Sequence, residues 1–264
     1  MTAGYRRRRQ WSIPLRPIWQ EGVMTEPRDS AHWARVAAAW TEWARKPGHD
    51  AFWHYRDALS AFVGRGAARA LEVGCGEGRV SRLLRELGHH VTAADAVAAL
   101  IEAARAANSA DRYAVALAAS LPFEAGSFDL VVAYNVLMDV EDVPAAVTEM
   151  ARVLAPGGTV LISLVHPFRD RGRFAGPQAD APFIVEGSYY GRERFEGSET
   201  RDGLTMAFAG WSQPLEAYAG ALEQAGLAIT ALREPLPTPV DGNAAFHQSM
   251  RMPLFLWLKA RRFV

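Results

Sequence analysis

Short apolar segments alternate with helical segments between about residues 68 and 165, and this alternation constrains the fold more than any other feature of the chain. Predicted strands cover 70–73, 91–95, 113–117, 128–134 and 159–165. Helical periodicity between them covers 80–87, 97–107 and 144–154. Strands joined through helices lie parallel in one sheet with helices on both faces. A helix at 215–224 and strands at 227–233 and 253–260 follow, so we expect one α/β domain.

The composition excludes several classes of protein. Lys plus Arg and Asp plus Glu each total 29 of 264 residues, so the formal net charge is zero. This balance argues against a protein that binds nucleic acid mainly by phosphate attraction. The single cysteine excludes a disulfide framework, and no Cys/His spacing predicts a metal site. No apolar run approaches the roughly 20 residues of a membrane span, so we expect no membrane partner and a cytoplasmic location.

The first 64 residues precede the alternating pattern. Residues 1–24 hold five arginines and one acid. The run of four arginines resembles the start of a twin-arginine export signal, but prolines interrupt the apolar region that such a signal needs. We therefore expect a disordered basic extension, with Met24 as an alternative start. Residues 25–64 are predicted to form helices whose aromatic residues either pack in the core or form a lid over a ligand.

Residues 167–211 break the alternation and form an inserted region within the single domain expected at 25–264. Five aromatic residues of this region either wall an apolar substrate pocket or pack the insertion against the sheet: Phe183, Tyr189, Tyr190, Phe208 and Trp211. We expect the insertion to cap a substrate site. A polar, proline-rich loop is predicted at 234–250.

A glycine-rich turn follows the first predicted strand. It reads Glu72-Val-Gly74-Cys-Gly76-Glu-Gly78 and runs into a helix. Glycines permit a sharp turn and a close approach of a ligand to the backbone, and the helix start offers free N–H groups. Asp95 ends the next strand, where a carboxylate can accept both hydroxyls of a ribose. The order of these features predicts a nucleoside site.

The charge around the turn indicates which nucleoside binds. The dinucleotide fingerprint has a glycine where this chain has Arg79, and Glu72 and Glu77 would repel a pyrophosphate. A ligand with an ammonium and a sulfonium group tolerates these acids, which points to S-adenosylmethionine. An NAD-dependent oxidoreductase is the disfavoured alternative.

Three segments resemble one family. Leu71-Glu-Val-Gly-Cys-Gly-Glu-Gly-Arg79 is similar to motif I of the class I S-adenosylmethionine-dependent methyltransferases. Leu121-Pro122-Phe123 with 126–132 resembles their fourth-strand signature, and 151–158 resembles the turn into their fifth strand. The small-molecule, type-11 branch is the most similar. The resemblance implies a Rossmann-like, seven-stranded mixed sheet of order 3-2-1-4-5-7-6 with strand 7 antiparallel and helices on both faces.

The resemblance also implies residues that bind the cofactor, S-adenosyl-L-methionine. They contact its methionine end, ribose or adenine: Glu72, Gly74, Cys75, Gly76, Asp95, Ala96, Leu117, Ala118 and Tyr134. Leu117 stands where many relatives carry an acid that contacts the adenine amino group. Apolar packing and the backbone around Leu117 and Ala118 are therefore expected to hold the adenine.

The expected reaction is methyl transfer to an oxygen, nitrogen or carbon atom of a small organic molecule. His166, which follows strand 5, is the candidate general base, and the alternative is that it only shapes the loop. The His-His pair that is common in type-11 relatives is replaced by 135–142, where the acids either cap the next helix or, through Asp139, face the substrate. A catalytically inactive regulatory protein that binds the cofactor or its demethylated product is the alternative function, and the oligomeric state stays open.

Overall fold

The computed structural model describes residues 28–238 and 244–263, which contain eleven strands and seven α-helices. The strands are β1 Arg69–Val73, β2 His90–Asp95, β3 Arg112–Val115, β4 Phe128–Tyr134, β5 Leu154–Val165, β6 Gly172–Phe174, β7 Phe183–Val185, β8 Glu193–Arg201, β9 Leu204–Ser212, β10 Leu227–Arg233 and β11 Phe255–Arg262. The helices are α1 Arg28–Arg45, α2 Phe52–Val63, α3 Arg79–Glu86, α4 Ala98–Ala106, α5 Val143–Val153, α6 Leu215–Gln224 and α7 Ala244–Ser249.

Seven strands form the main sheet in the order β3-β2-β1-β4-β5-β11-β10. Strands β1 to β5 pair in parallel, whereas β11 runs antiparallel to both β5 and β10. The predicted strand order and the antiparallel last strand are confirmed. Because β1, β2, β4 and β5 point the same way, the loops after them meet at one edge of the sheet.

Side chains of the central strands alternate between two buried clusters on opposite faces of the sheet. In β4, Val131 and Ala133 pack with α5 and α6, whereas Leu130, Val132 and Tyr134 pack with α2 and α3. Successive side chains of a strand point to opposite faces, so both sides need an apolar cover. The prediction of helices on both faces is therefore confirmed.

The N-terminal helices and the insertion are additions to the alternating strand–helix segment of the sequence, although α2 packs in the core. Helix α1 ends at Arg45, just before Lys46-Pro47-Gly48, and α2 follows. The insertion contains two antiparallel hairpins, β6–β7 and β8–β9, neither of which joins the main sheet. The basic extension predicted at 1–24 lies outside the described residues.

The region 234–250 is not entirely a loop, as the sequence analysis expected, because it contains α7. Gln248 at the end of this helix donates from Nε2 to the carbonyl oxygens of Gly176 (2.8 Å) and Gln178 (3.1 Å). Contacts with a segment more than 60 residues away therefore stabilise α7. Local sequence periodicity does not predict such contacts, so the helix was missed. None of the helices in the described ranges has the length and apolarity needed to cross a membrane.

Candidate functional site

A cavity of about 1110 Å³ lies over the carboxyl ends of the central strands. The turns after β1, β2 and β4 form its floor, helices α1 and α2 contribute a wall, and hairpin β8–β9 contributes a second wall. Its position is the edge at which parallel α/β sheets bind ligands. The volume slightly exceeds the range common for small-molecule pockets, about 300–1,000 Å³.

The turn after β1 requires glycine for steric reasons. Gly74 has φ +70°, and a Cβ there would lie 2.2 Å from Val136 Cγ2. Gly78 has φ +88°, and a Cβ there would lie 2.4 Å from Ser109 Cβ. Positive φ and this proximity both exclude a side chain. Gly74, Cys75 and Gly76, the residues predicted to offer their backbone to the cofactor, all line the cavity.

Asp95 connects the turn after β1 with the turn after β2. Its Oδ2 accepts from Gly76 N at 2.8 Å, and its Oδ1 accepts from Val97 N at 2.9 Å. The side chain is buried and lines the cavity, and burial raises its pKa. Each carboxylate oxygen has a second lone pair after these bonds. The carboxylate can therefore accept ligand hydroxyls while it holds the two turns together.

Glu72 forms a buried acidic wall of the cavity beside the glycine turn. Its pKa is raised to about 8, mainly by burial and to a smaller extent by the charges of Glu77 and Asp95, against the opposing charge of Arg79. Ser81 Oγ donates to Glu72 Oε2 and favours the ionised form. Since a cation next to this carboxyl would also favour ionisation, the wall suits a positively charged ligand.

The floor beyond Asp95 is apolar. Ala96, Leu117 and Ala118, the residues predicted to contact the adenine, all line the cavity. Leu117 is 46% exposed although it is a large apolar residue, so a flat ring placed on it would bury apolar surface. Leu117 supplies no carboxylate to the adenine amino group that the acid of many relatives contacts.

An ion pair in the cavity wall was not identified from the sequence. Arg79 Nη1 lies 2.7 Å from Asp50 Oδ1, and the two side chains are only 10% and 14% exposed. The guanidinium lies 4.9 Å from the ring centroid of Trp40 and 5.0 Å from that of Phe52. The contact joins α3 to the turn before α2. Arg79 follows the glycine turn directly, and this adjacency was the only sequence signal for it.

Tyr134 and Asn135 stand at the end of β4 and line the cavity. The Tyr134 hydroxyl is buried and has no hydrogen-bond partner among the described residues. Asn135 has φ +52°, and its Oδ1 accepts from Ser163 Oγ at 2.7 Å. Residues held in such backbone conformations cluster at functional sites. Both residues therefore line the candidate site. Only Tyr134 was predicted from the sequence to be a site residue.

His166 is buried beside the cavity and is not among the residues that line it. Its Nδ1 accepts from Phe168 N at 3.2 Å, so Nε2 carries the proton and donates to Glu234 Oε1 at 3.0 Å. With both ring nitrogens engaged, these contacts favour the loop-shaping alternative over the general base.

The acids after β4 agree with both alternatives that the sequence left open, because all three, Asp139, Glu141 and Asp142, line the cavity. Asp142 caps α5, since its Oδ1 accepts from Ala145 N at 2.9 Å. Asp139 ends a short 3₁₀ turn, Leu137–Asp139, and lines the cavity. Asp142 therefore both caps α5 and lines the cavity, whereas Asp139 and Glu141 are placed at the cavity alone.

Only one of the five aromatic residues singled out in the insertion, Phe208, lines the cavity. Tyr190 is 74% exposed, and Tyr189 stacks on Phe168 with 4.4 Å between ring centroids. Phe183 packs on Phe174, and Trp211 lies under the guanidinium of Arg192. Four of the five therefore have other environments. Phe195, Glu199 and Arg201 of β8 line the cavity instead.

Comparisons with known proteins agree with this geometry. A family model described as a methyltransferase domain, of type 11, matches residues 71–162. The malonyl-[acyl-carrier protein] O-methyltransferase of Salmonella typhimurium is 35% identical over 132 residues, which are 50% of this chain and 51% of that protein. The ubiquinone biosynthesis O-methyltransferase of Xanthomonas campestris pv. campestris is 32% identical over 163 residues, 57% of this chain and 66% of that protein.

The matched segment thus spans about half to two thirds of the length of these two curated relatives. A solved S-adenosylmethionine-dependent methyltransferase from Mesorhizobium loti superposes over a larger part, 82% of this chain and 100% of that chain. Its TM-score is 0.64 and its sequence identity 26%. On the motifs, the sheet and these comparisons together, the chain belongs to the class I S-adenosylmethionine-dependent methyltransferases.

Proposed function

We propose that this protein transfers the methyl group of S-adenosylmethionine to a small organic molecule. The observation that carries the proposal is the convergence of three features on one cavity: the glycine turn, Asp95 and the acidic wall at Glu72. Two relatives named as O-methyltransferases favour an oxygen atom as the acceptor. Nitrogen and carbon acceptors are the alternatives.

The cofactor is proposed to lie along the floor of the cavity. The backbone of Gly74, Cys75 and Gly76 faces its methionine end, and Glu72 offers a carboxyl to its cationic groups. Asp95 accepts the ribose hydroxyls while Ala96, Leu117 and Ala118 cover the adenine. These assignments use only residues that line the cavity. Tyr134, whose buried hydroxyl has no hydrogen-bond partner among the described residues, is proposed to lie beside the methionine end.

The transfer itself needs alignment more than acid–base chemistry. A lone pair of the acceptor attacks the methyl carbon while the carbon–sulfur bond breaks, and the bonding electrons pass to sulfur, which leaves as a neutral thioether. A protonated acceptor also releases its proton, to a base or to water. Holding the two reactants in line and excluding water supply most of the acceleration.

Helix α1 and hairpin β8–β9 are proposed to exclude that water as a lid. Arg201 Nη1 donates to His49 O at 2.6 Å, and His49 Nε2 lies 2.9 Å from Asp202 Oδ2. The ring centroids of Trp43 and Phe208 lie 6.0 Å apart. These contacts support a helical lid within 25–64 and a substrate cap within 167–211.

Calorimetry with S-adenosylmethionine and S-adenosylhomocysteine tests the proposal. We expect binding below the millimolar range, and we expect Asp95→Ala to weaken it at least tenfold, about 1.4 kcal/mol or more. Asp129→Ala is the matched control, because Asp129 pairs with Arg69 at the opposite end of β1 and β4. Absence of binding in the wild type would refute the proposal, as would binding of NAD in its place.

Turnover distinguishes an enzyme from an inactive cofactor-binding protein. The full chain is incubated with methyl-labelled S-adenosylmethionine and a panel of small acids, phenols, alcohols and amines. Transfer of label to any acceptor establishes activity. Tight binding of the cofactor without transfer across the panel would favour the regulatory alternative.

A further inference from the structure

Arg169 stands in the half of the cavity that the proposed cofactor leaves empty. It follows β5 and begins a short 3₁₀ turn, Arg169–Arg171. The cofactor residues follow β1, β2, β3 and β4, whereas Arg169 lies with Val165, Leu254 and Phe255 toward β5 and β11. Arg169 therefore lines the part of the cavity where we expect an acceptor to enter, and this inference rests on the proposed function.

The guanidinium is held in place without a counterion. It lies over Phe174, at 4.5 Å from the ring centroid, and near Phe183, at 5.7 Å. Its Nη1 is buried and has no hydrogen-bond partner within 28–238 and 244–263, and no carboxylate in these ranges forms an ion pair with it. The other arginines of the cavity each have a partner, since Arg79 pairs with Asp50 and Arg201 with Glu199.

Asp170, the acid next to Arg169 in the sequence, does not neutralise the Arg169 guanidinium. Asp170 also lines the cavity, but its carboxyl hydrogen-bonds Ser212 and interacts with the charge of Arg171. Burial lowers the pKa of Arg169, and no carboxylate acts against this effect. A partly buried cation without a partner is unfavourable in the ligand-free protein, so a bound anion would stabilise it.

Arg251 also lies 5.9 Å from the Phe174 ring centroid, but it donates to the carbonyl oxygens of Ala179 and Ala181 and is not among the residues that line the cavity. Arg169 therefore offers one unpaired positive charge to a ligand, which suits one negative charge. A carboxylate matches the planar fork of a guanidinium through two parallel hydrogen bonds. A phosphate monoester carries nearly two charges, and a second would stay uncompensated near Asp139 and Asp170, which line the same cavity. We propose that Arg169 binds a carboxylate of the methyl acceptor, so that the substrates are small carboxylic acids with an apolar body.

The test compares acids with neutral analogues of the same shape. The probes are phenylacetate and phenylacetamide, 4-hydroxybenzoate and its amide, octanoate and its amide, and phenyl phosphate. Each is titrated calorimetrically into the full chain with saturating S-adenosylhomocysteine. At least one acid is expected to bind tenfold or more tightly than its amide and than phenyl phosphate.

Variants of Arg169 connect that preference to the guanidinium. Arg169→Met and Arg169→Gln should each remove at least tenfold of the affinity for the preferred acid and leave the affinity for its amide unchanged. Arg169→Lys should retain part of the preference. Arg173→Met is the matched control, because Arg173 lies on β6, is exposed and pairs with Glu186. It should behave as the wild type.

The outcomes separate the two proposals. S-adenosylhomocysteine affinity and the thermal midpoint are measured for every variant, and unchanged values show that the cofactor half is intact. Equal binding of acid and amide, no binding of any acid, preference for phenyl phosphate, or full preference in both Arg169→Met and Arg169→Gln would overturn the carboxylate inference alone. Loss of cofactor binding in the wild type would overturn the proposed function instead.

Discussion

Glu72→Gln keeps the shape of a buried side chain in the cavity wall and removes its charge. In the wild type, burial raises the pKa of the carboxyl to about 8. The glutamine carbonyl oxygen can accept the hydrogen bond that Ser81 Oγ donates to Glu72. The substitution therefore isolates the effect of ionisation from the effect of packing.

The sign of the effect follows from proton binding. The folded protein holds the Glu72 proton up to about pH 8, whereas the unfolded chain releases it near pH 4.5. Between these values the folded state binds more protons, so the free energy of unfolding falls as pH rises. A shift of this size corresponds to about 5 kcal/mol at 1.36 kcal/mol per pKa unit. Glutamine does not ionise, so the Glu72→Gln variant does not lose this part of the free energy of unfolding as pH rises.

Urea unfolding of ligand-free wild type and Glu72→Gln at pH 5, 6, 7, 8 and 9 measures the difference. We expect the variant to gain several kcal/mol over the wild type by pH 9 relative to the difference at pH 5. The contributions of titrating groups that do not interact with Glu72, such as Asp170, cancel because both proteins contain them. Glu124→Gln, at an exposed position, is the control and should show no such trend. A constant difference between wild type and Glu72→Gln across the series would refute the reasoning.

Three further substitutions or reactions examine the same cavity. Gly74→Ala should weaken S-adenosylhomocysteine binding at least tenfold by calorimetry, because the positive φ of Gly74 and the proximity of Val136 exclude a Cβ. Gly157→Ala is the control: Gly157 also has positive φ, but no atom lies near the added Cβ, so this variant should bind as the wild type does. Tyr134→Phe should raise the free energy of unfolding of the ligand-free protein by about 1 kcal/mol, since it removes a buried hydroxyl without a partner among the described residues; a less stable variant in urea would contradict this. The only cysteine, Cys75, is buried with a raised pKa, so it should react with Ellman's reagent far more slowly in the folded protein than in urea. Equal reaction rates in the folded protein and in urea would contradict the burial of Cys75.

The sequence predicted the main sheet well because local patterns determine its parts. Runs of apolar residues bounded by glycine, proline or charge predicted β4 at its observed bounds and β1 and β2 within one residue. β5 starts at Leu154, five residues before its predicted start, so the turn predicted at 156–158 is part of the strand. The glycine turn was equally local, since each glycine satisfies a steric requirement of its own backbone position. Strand order came from the resemblance to a family, because pairing between distant segments leaves no trace in periodicity.

Contacts between distant segments account for what the sequence did not reveal. The Arg79–Asp50 pair joins residues 29 positions apart across two elements, and nothing near either residue indicates the other. The aromatic residues of the insertion illustrate the same limit. Strand β9 alternates its side chains between two faces, and only the packing on α1 decides that Phe208, rather than Trp211, turns toward the cavity.

Helix α1 contacts both the glycine turn and hairpin β8–β9, through two side chains three residues apart. Trp40 lies under the guanidinium of Arg79, and its Nε1 is 3.0 Å from where a Cβ on Gly76 would stand. Trp43 packs on Phe208 and lies under Arg201 of the insertion. Residues at this spacing share one face of a helix. A displacement of the hairpin that moves α1 would therefore also loosen the packing on the glycine turn. The proposed closure over the acceptor and the proposed binding of the cofactor thus involve the same helix face.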